Sequence, residues 1–362
     1  MSGQKWVLQF CHGYDGPFLD CARQYAVLFK DTEYKVCTVY LTGAPSEEVI
    51  QGSASDEVLF FNYRSKDIRG LKLAAIRDFK KLVASRDFAF CIAHRFKPIY
   101  IALLGSRLPV IGVHHAFGDY KRKSRQLMAN FFKRRLRLLG VSNAVRDDMR
   151  ACLPGFKPEN IETLYNRIDV EAVQAEQVNR NEARDFLGLP QDAWIVGNVG
   201  RLHPDKDQTT LIKGFARALP ELPQGSLLAI MGSGRLEQQL KALAVELNVA
   251  DSVKFLGQIP HGRRYFKAFD LFALTSDHEP FGMVLLEAMA AGVPVIATDC
   301  GGAKEVVAES DARFPLGDDA ALASLLSERS VQKAAFMGDL SGFSDSAVKP
   351  VFFGFLNVGR VT

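Results

Sequence analysis

The sequence lacks a run of apolar residues near the roughly 20 that a membrane-spanning helix needs, and it lacks paired cysteines. Cys11, Cys21, Cys37, Cys91, Cys152 and Cys300 are scattered, with no close pair at metal-ligand spacing. A disulfide scaffold is a poor reading for a 362-residue chain of this kind, so the thiols are expected to be buried. No Walker-type Gly-Lys-Thr run occurs, which argues against a P-loop ATPase. A complete G-x-G-x-x-G is missing too, which argues against a standard dinucleotide dehydrogenase. Without a G-x-S-x-G elbow, serine hydrolase chemistry has no foothold. Lys5 is followed only by the short apolar stretch Trp6 to Cys11, too short for the core of a signal peptide. The expected location is therefore cytoplasmic. No internal repeat or low-complexity segment stands out.

What is present is ordinary for a globular protein: 48% hydrophobic and 24% charged residues. The length allows two domains. The net charge of +4 hides an asymmetry. Residues 1–150 hold 25 Lys or Arg against 14 Asp or Glu, and the remainder hold 20 against 27. That split suits two domains with different tasks. Within the basic half, Lys121, Arg122, Lys123, Arg125, Lys133, Arg134, Arg135 and Arg137 occur without an intervening acid. With Leu127, Met128, Phe131, Phe132 and Leu136 interleaved, they fit an amphipathic helix on an anionic leaflet. They equally fit a solvated helix face or a grip on an anionic acceptor. No nucleic-acid reading motif is present, so nucleic acid is not an expected partner.

Strand, loop and helix alternate along the chain, as in parallel sheets covered on both faces. Expected strands of the first half include Trp6–Cys11, Lys35–Leu41, Phe88–His94 and Pro109–Val113. Arg125–Arg137 is expected to be helical and Leu138–Val141 a strand. Asn166-Arg167-Ile168-Asp169 has the character of a hinge. A second sheet starts at Trp194–Val199. The fold class expected is α/β, with two Rossmann-like, doubly wound domains facing a central cleft. The aromatic-rich stretch Ser346–Leu356 is a candidate to pack back on the first domain.

The chemistry is expected at the carboxyl ends of the strands, where open α/β sheets bind ligands. Glu279-Pro280-Phe281-Gly282-Met283-Val284-Leu285-Leu286-Glu287 joins a strand, a loop and a helix start. It presents two carboxylates and unpaired helix N–H groups, a set suited to a polyhydroxyl ligand. Gly200-Arg201 with Lys206 follows a strand, and the two cations suit a diphosphate; the plain alternative is a solvated loop. Gly232 and Gly234 form a glycine loop able to approach phosphate or nucleobase. Gly301-Gly302-Ala303 either faces phosphates or is a tight turn. His94, His114 and His115 end neighbouring strands; zinc, sugar hydroxyls and a structural role all fit imidazoles there. Gly13 and Gly16 flank Asp15 in the first strand-to-helix loop.

On these residues the chain resembles the retaining glycosyltransferases of family four, which have the GT-B fold. The E-x7-E signature is Glu279 to Glu287, the second motif is Gly200-Arg201 with Lys206, and a serine-containing loop stands at Gly140-Val141-Ser142-Asn143. More narrowly, the chain is similar to bacterial enzymes that build the lipopolysaccharide core or related surface glycans. The resemblance implies an acceptor-binding domain at 1–166, a nucleotide-sugar-binding domain at 167–342 and a segment at 343–362 that crosses back. It implies that Arg201 and Lys206 bind the donor diphosphate, that Glu287 holds the ribose hydroxyls and that Glu279 orients the donor sugar. Phe281, Gly282 and Met283 would contact sugar or phosphate, His94 the donor sugar near its reacting carbon. Gly13 and Gly16 would shape the phosphate and acceptor loop, although the family's Gly-Gly pair is here Gly13-Tyr14-Asp15-Gly16. The donor, expected to be a UDP-sugar, is a substrate; no separate cofactor and no metal are expected. The other expected partners are a glycan or glycolipid acceptor and an anionic inner-leaflet membrane surface. A glycogen- or sucrose-type sugar synthase, or a non-enzymatic nucleotide-sugar-binding protein, are the competing readings.

Overall fold

The structure, a computed structural model, describes residues 4–331 and 338–357. The chain divides into two compact units. One runs to Arg167 and takes in the residues from Val348 on; the other is Ile168–Ala347.

The first unit is built on seven strands: β1 Lys5–Cys11, β2 Tyr34–Tyr40, β3 Glu57–Phe60, β4 Phe88–His94, β5 Val110–His114, β6 Leu136–Gly140 and β7 Ile161–Thr163. Their order is β3-β2-β1-β4-β5-β6-β7, and every pairing is parallel. Between the strands run α1 Phe18–Ala26, α2 Glu47–Gly52, α3 Leu73–Ala84, α4 Phe96–Gly105, α5 Lys123–Phe132 and α6 Asn143–Cys152. Helices on both faces explain why β5 is buried throughout and β4 almost so. The chain order reverses between β1 and β4, so the loops leaving these two strands diverge and leave a crevice.

The second unit repeats the plan. After α7 Val170–Glu176 and α8 Arg180–Leu187 come β8 Ile195–Val199, α9 Gln208–Ala218, β9 Leu227–Met231, α10 Glu237–Glu246 and β10 Val253–Gly257. Next are β11 Leu271–Leu274, α11 Met283–Ala290, β12 Val295–Thr298, α12 Ala303–Val306, β13 Arg313–Phe314 and α13 Asp319–Val331. The order is β10-β9-β8-β11-β12-β13, again parallel, with its reversal between β8 and β11. Val196, Leu211, Phe215, Leu228, Ile230 and Ile296 form part of its core. Fully buried Arg184 braces the reversal point: it donates to the carbonyls of Pro190, Gln191, Ala193 and Ala268 and pairs with Asp270 at 2.8 Å. Asp270 also accepts from Ile195 N–H, so one carboxylate fixes the starts of β8 and β11 together.

The last described helix, α14 Asp345–Asn357, carries buried Val348, Phe352 and Phe355 on one face. From Val348 on it belongs to the first unit, where Phe352 meets Phe29 and Tyr25. Residues 358–362 of the expected C-terminal segment lie outside the described residues.

One sequence expectation is corrected. Arg125–Arg137 is not a single helix: α5 ends at Phe132, and β6 starts at Leu136 rather than Leu138. Leu136 pairs with Val110 and is buried, so the chain must be extended there. The basic run therefore spans a helix, a turn and a strand. Arg125 bonds to Asp119, Arg135 to the carbonyls of Leu103 and Leu108, and Arg137 stacks on Phe355. Lys121, Arg122, Lys123, Lys133 and Arg134 remain exposed.

Candidate active site

In the second unit, the loops leaving β8 and β11 meet where the strand order reverses. Lys206 Nζ lies 2.7 Å from Glu279 Oε2. Thr275 Oγ1 donates to Lys206 O at 2.9 Å, and Asp277 N to Asp205 O at 3.1 Å. A third loop joins from β12, where Gly302 N donates to Glu279 O at 2.7 Å. A Cβ on Gly302 would collide with Pro280 and Phe281, so the glycine is required by that close approach. The Gly301-Gly302 turn thus buttresses the Glu279 loop.

The glutamates sit as their spacing suggests. Glu279 is in the loop and is 8% exposed. Gly282 caps α11 at φ 102°, Met283 is the first helical residue, and Glu287 stands just over one turn on. Phe281 is buried against Phe343 of the same unit, so only its backbone is available to a ligand. Arg201 differs from Lys206: it is exposed and pairs loosely with Asp205 at 3.2 Å. The Gly232 loop closes on the same group, with Leu202 N donating to Ser233 O at 3.0 Å. Gly232 has φ 142° and packs its Cα against Gly200 O, leaving no room for a Cβ. Arg201, Lys206, Glu279, Gly232 and Gly302 therefore belong to loops joined by hydrogen bonds or backbone contact.

In the first unit, His94 ends β4 and is buried. Its Nδ1 lies 3.2 Å from Nε2 of His115, and the two rings stack at 5.5 Å. Tyr25 closes the other side edge-on. Burial, and then His115, hold His94 well below its ordinary pKa. Burial, and then His114 and Arg95, push His115 down to about 3. Both rings are neutral near pH 7, so each carries one N–H. One N–H is used between them. The two remaining nitrogens, His94 Nε2 and His115 Nδ1, have no partner among the described residues, so one of these is a donor and the other an acceptor. The sequence offers His94, His114 and His115 alike as strand-end histidines, and the resemblance singles out His94. The structure places half-buried His115 beside it, nearer solvent. A signal for His115 exists, because β4 and β5 are neighbours and His115 directly follows β5.

His114 is a different case. Its Nδ1 lies 2.7 Å from Asp119 Oδ2 and its Nε2 3.2 Å from Tyr120 Oη, which is a satisfied structural set. Gly13 and Gly16 lie in the loop leaving β1, which is tied to the loop after β2 by Thr42 N and Oγ1 donating to His12 O. Ser142 caps α6, accepting from Val145 N at 3.1 Å, so the serine of the Gly140–Asn143 loop is occupied structurally. A cavity of about 750 Å³ opens near the amino ends of β4, β5 and β6, the sheet edge opposite these histidines. Among the described residues, no group of three or more His, Cys, Asp or Glu side chains is placed to share a metal ion.

Comparison with known proteins agrees across both units. Residues 179–328 match the family described as Glycosyl transferases group 1, and residues 30–172 match Glycosyltransferase Family 4. A D-inositol 3-phosphate glycosyltransferase of Catenulispora acidiphila is 32% identical over 178 residues, 46% of this chain and 42% of that protein. The chain thus spans less than half the length of such curated relatives. Among solved structures, Anabaena Alr3699/HepE in complex with UDP superposes with a TM-score of 0.79 at 21% identity, covering 98% of this chain and all of that one. The lipopolysaccharide outer core galactosyltransferase WaaB gives 0.73 at 17% identity, covering 98% and 99%. The fold is GT-B: two α/β domains, each with a parallel sheet flanked by helices.

Proposed function

We propose that the chain is a retaining glycosyltransferase moving a sugar from a nucleoside-diphosphate sugar to a hydroxyl of a cell-surface glycan or glycolipid. The observation that carries this is the Lys206–Glu279 pair, set where the β8 and β11 loops converge at the strand reversal. A cation there serves a diphosphate, and a carboxylate beside it serves sugar hydroxyls. The solved relative in complex with UDP supports a uridine nucleotide, and the galactosyltransferase WaaB supports a lipopolysaccharide-type acceptor.

In this reading the bond between the anomeric carbon and the phosphate oxygen breaks while the acceptor hydroxyl attacks the same face. Lys206 and Arg201 stabilise the negative charge on the departing oxygen, which takes the acceptor's proton. Glu279 orients the donor sugar, Glu287 holds the ribose, and the N–H groups at Gly282 and Met283 face phosphate or sugar. Neutral His94 and His115 together offer one donor and one acceptor nitrogen to a sugar hydroxyl, a sugar contact being what the resemblance implies for His94. Exposed Leu127 and Phe131 on α5, with Lys121, Arg122, Lys123, Lys133 and Arg134 nearby in sequence, support a peripheral seat on an anionic leaflet.

The test is a binding screen against UDP-, dTDP-, GDP- and ADP-sugars with EDTA present. One tight donor, lost in Lys206→Ala, is the expected result. Absence of binding to all four sinks the assignment of this pocket.

A further inference from the structure

The carboxyl edge of the first sheet gathers a group of cations without carboxylate partners of their own among the described residues. Arg69 and Lys72 lie between β3 and α3. Arg95 and Lys97 flank the first residue of α4. Among the described residues, none of the four makes a salt bridge to a carboxylate. Lys72 Nζ donates to Gly70 O and sits 4.7 Å from the Tyr100 ring centroid. Arg95 lies 4.8 Å over Phe18. A fifth cation, Arg125, lies 4.3 Å over Phe96, whose ring neighbours Tyr100, but Asp119 partners it.

The cations act on one another. Partial burial lowers the Lys72 pKa, and Lys97 and Arg125 lower it further. Partial burial likewise lowers Lys97, followed by Arg95 and Arg69. His12, in the loop leaving β1, is pushed down to about 4 by burial and then by Arg95 and Lys97, against a smaller upward pull from Asp15. Lys72 over the Tyr100 ring, with Tyr100 Oη donating to Leu71 O at 3.5 Å, sets the loop that carries Arg69 and Lys72 against α4, whose start carries Arg95 and Lys97, so the cations share one region beside the reversal between β1 and β4. Gathering like charges raises the energy of the free protein, and an anionic ligand relieves it. Guanidinium and ammonium groups together suit phosphate oxygens. Leu71 and Leu73, on either side of Lys72 in sequence, are 66% and 68% exposed, which leaves apolar surface beside the charge.

We propose that Arg69, Lys72, Arg95 and Lys97 form a subsite for a phosphate-bearing acceptor, holding its phosphate while a hydroxyl of the same molecule is glycosylated. This rests on the glycosyltransferase reading for the word acceptor; the phosphate subsite itself does not.

The full chain is titrated with glucose 6-phosphate and with glucose, with UDP present to fill the nucleotide site. Vesicles of phosphatidylglycerol and of phosphatidylcholine form a parallel arm. The phosphate-bearing probe is expected to bind at least about tenfold more tightly than its neutral partner, an advantage lost in Arg95→Gln/Lys97→Gln while UDP binding is unchanged. Arg69→Gln/Lys72→Gln serves as the second variant should the first fail to fold. If only phosphatidylglycerol vesicles show the effect and the variants abolish it, the phosphate is lipid-borne and the subsite stands. Folded variants that bind every phosphate probe as the wild type does overturn the proposal, as does equal binding of charged and neutral probes in both arms. Wild-type protein that fails to bind UDP but keeps the phosphate preference sinks the glycosyl-transfer reading and leaves the subsite.

Discussion

Lys206 and Glu279, 73 positions apart in sequence, form an ion pair of 2.7 Å whose side chains are 20% and 10% exposed. The pair holds the carboxylate in place before any ligand arrives. It also gives each residue a structural role beside its proposed chemical one. Lys206→Ala leaves a buried carboxylate unpaired, at a cost of about 1–3 kcal/mol in stability. It also removes charge stabilisation worth about 10²–10³ in turnover. Glu279→Ala is expected to behave similarly. In a double-mutant cycle followed by denaturant unfolding, the double variant should lose less than the two singles together. Strict additivity would mean that the pair is not coupled in solution.

Arg201 separates the two roles. It is 71% exposed and pairs with Asp205 at the surface, and such pairs contribute little. Arg201→Ala is expected to change unfolding stability by no more than about 0.5 kcal/mol. Its affinity for UDP should fall about 10- to 100-fold through the lost charge-assisted bonds. Calorimetry with UDP measures the second quantity, and unchanged affinity would remove Arg201 from the site.

The pattern of legibility follows from physics. Parallel strands buried on both faces leave continuous apolar runs such as β9, Leu227–Met231, and these stand out in sequence. Each run ends in a loop at the carboxyl edge, so the strand-end placement of Glu279, Lys206, Gly232 and Gly302 is legible from position alone. The basic stretch hides its boundary because helix and strand share it: Arg135 and Arg137 look like partners of Arg125 on one helix face. What separates them is tertiary pairing of Leu136 with Val110, a contact with no local trace. The pairing of His115 with His94 is hidden for a similar reason. Their stacking depends on β4 and β5 being neighbours, and sequence gives both histidines the same strand-end character. The Arg69, Lys72, Arg95 and Lys97 cluster was hidden because two separate loops supply it.

The histidines make stability depend on pH in a defined window. His115 and His12 have folded pKa values near 3 and 4, and His94 lies well below its ordinary value. An unfolded histidine titrates near 6.5. Above that, neither state binds the proton and the three contribute nothing. Below it, the unfolded chain takes up protons that the folded chain refuses. Stability should therefore fall as pH drops from about 6.5 toward 4.5, each group adding up to about 1.4 kcal/mol per pH unit. Denaturant melts at pH 7.5, 6 and 5 measure the slope. His115→Gln should flatten it, and an unchanged slope in that variant would mean His115 is protonated in the folded protein.

The helix α14 gives the last prediction, because a chain that leaves the second unit at Ala347 must be held on the first by the helix residues beyond that point. Phe352 is fully buried, with its ring 5.7 Å from Phe29 and 6.2 Å from Tyr25. Tyr25 in turn packs edge-on to His94. Removing the ring should cost about 3–5 kcal/mol, the transfer term plus a cavity that rigid strands cannot fill. Phe353, one position round the helix and only half-buried, should cost clearly less on truncation to alanine. The comparison is informative because both phenylalanines lie on the same helix with similar propensity, so only burial differs. Because Phe352 supports Tyr25, Phe352→Ala should also loosen the His94–His115 stack, read as an upward shift of the His115 imidazole pKa by NMR titration. If the two variants prove equally stable, α14 is not docked on the first sheet in solution as the structure shows.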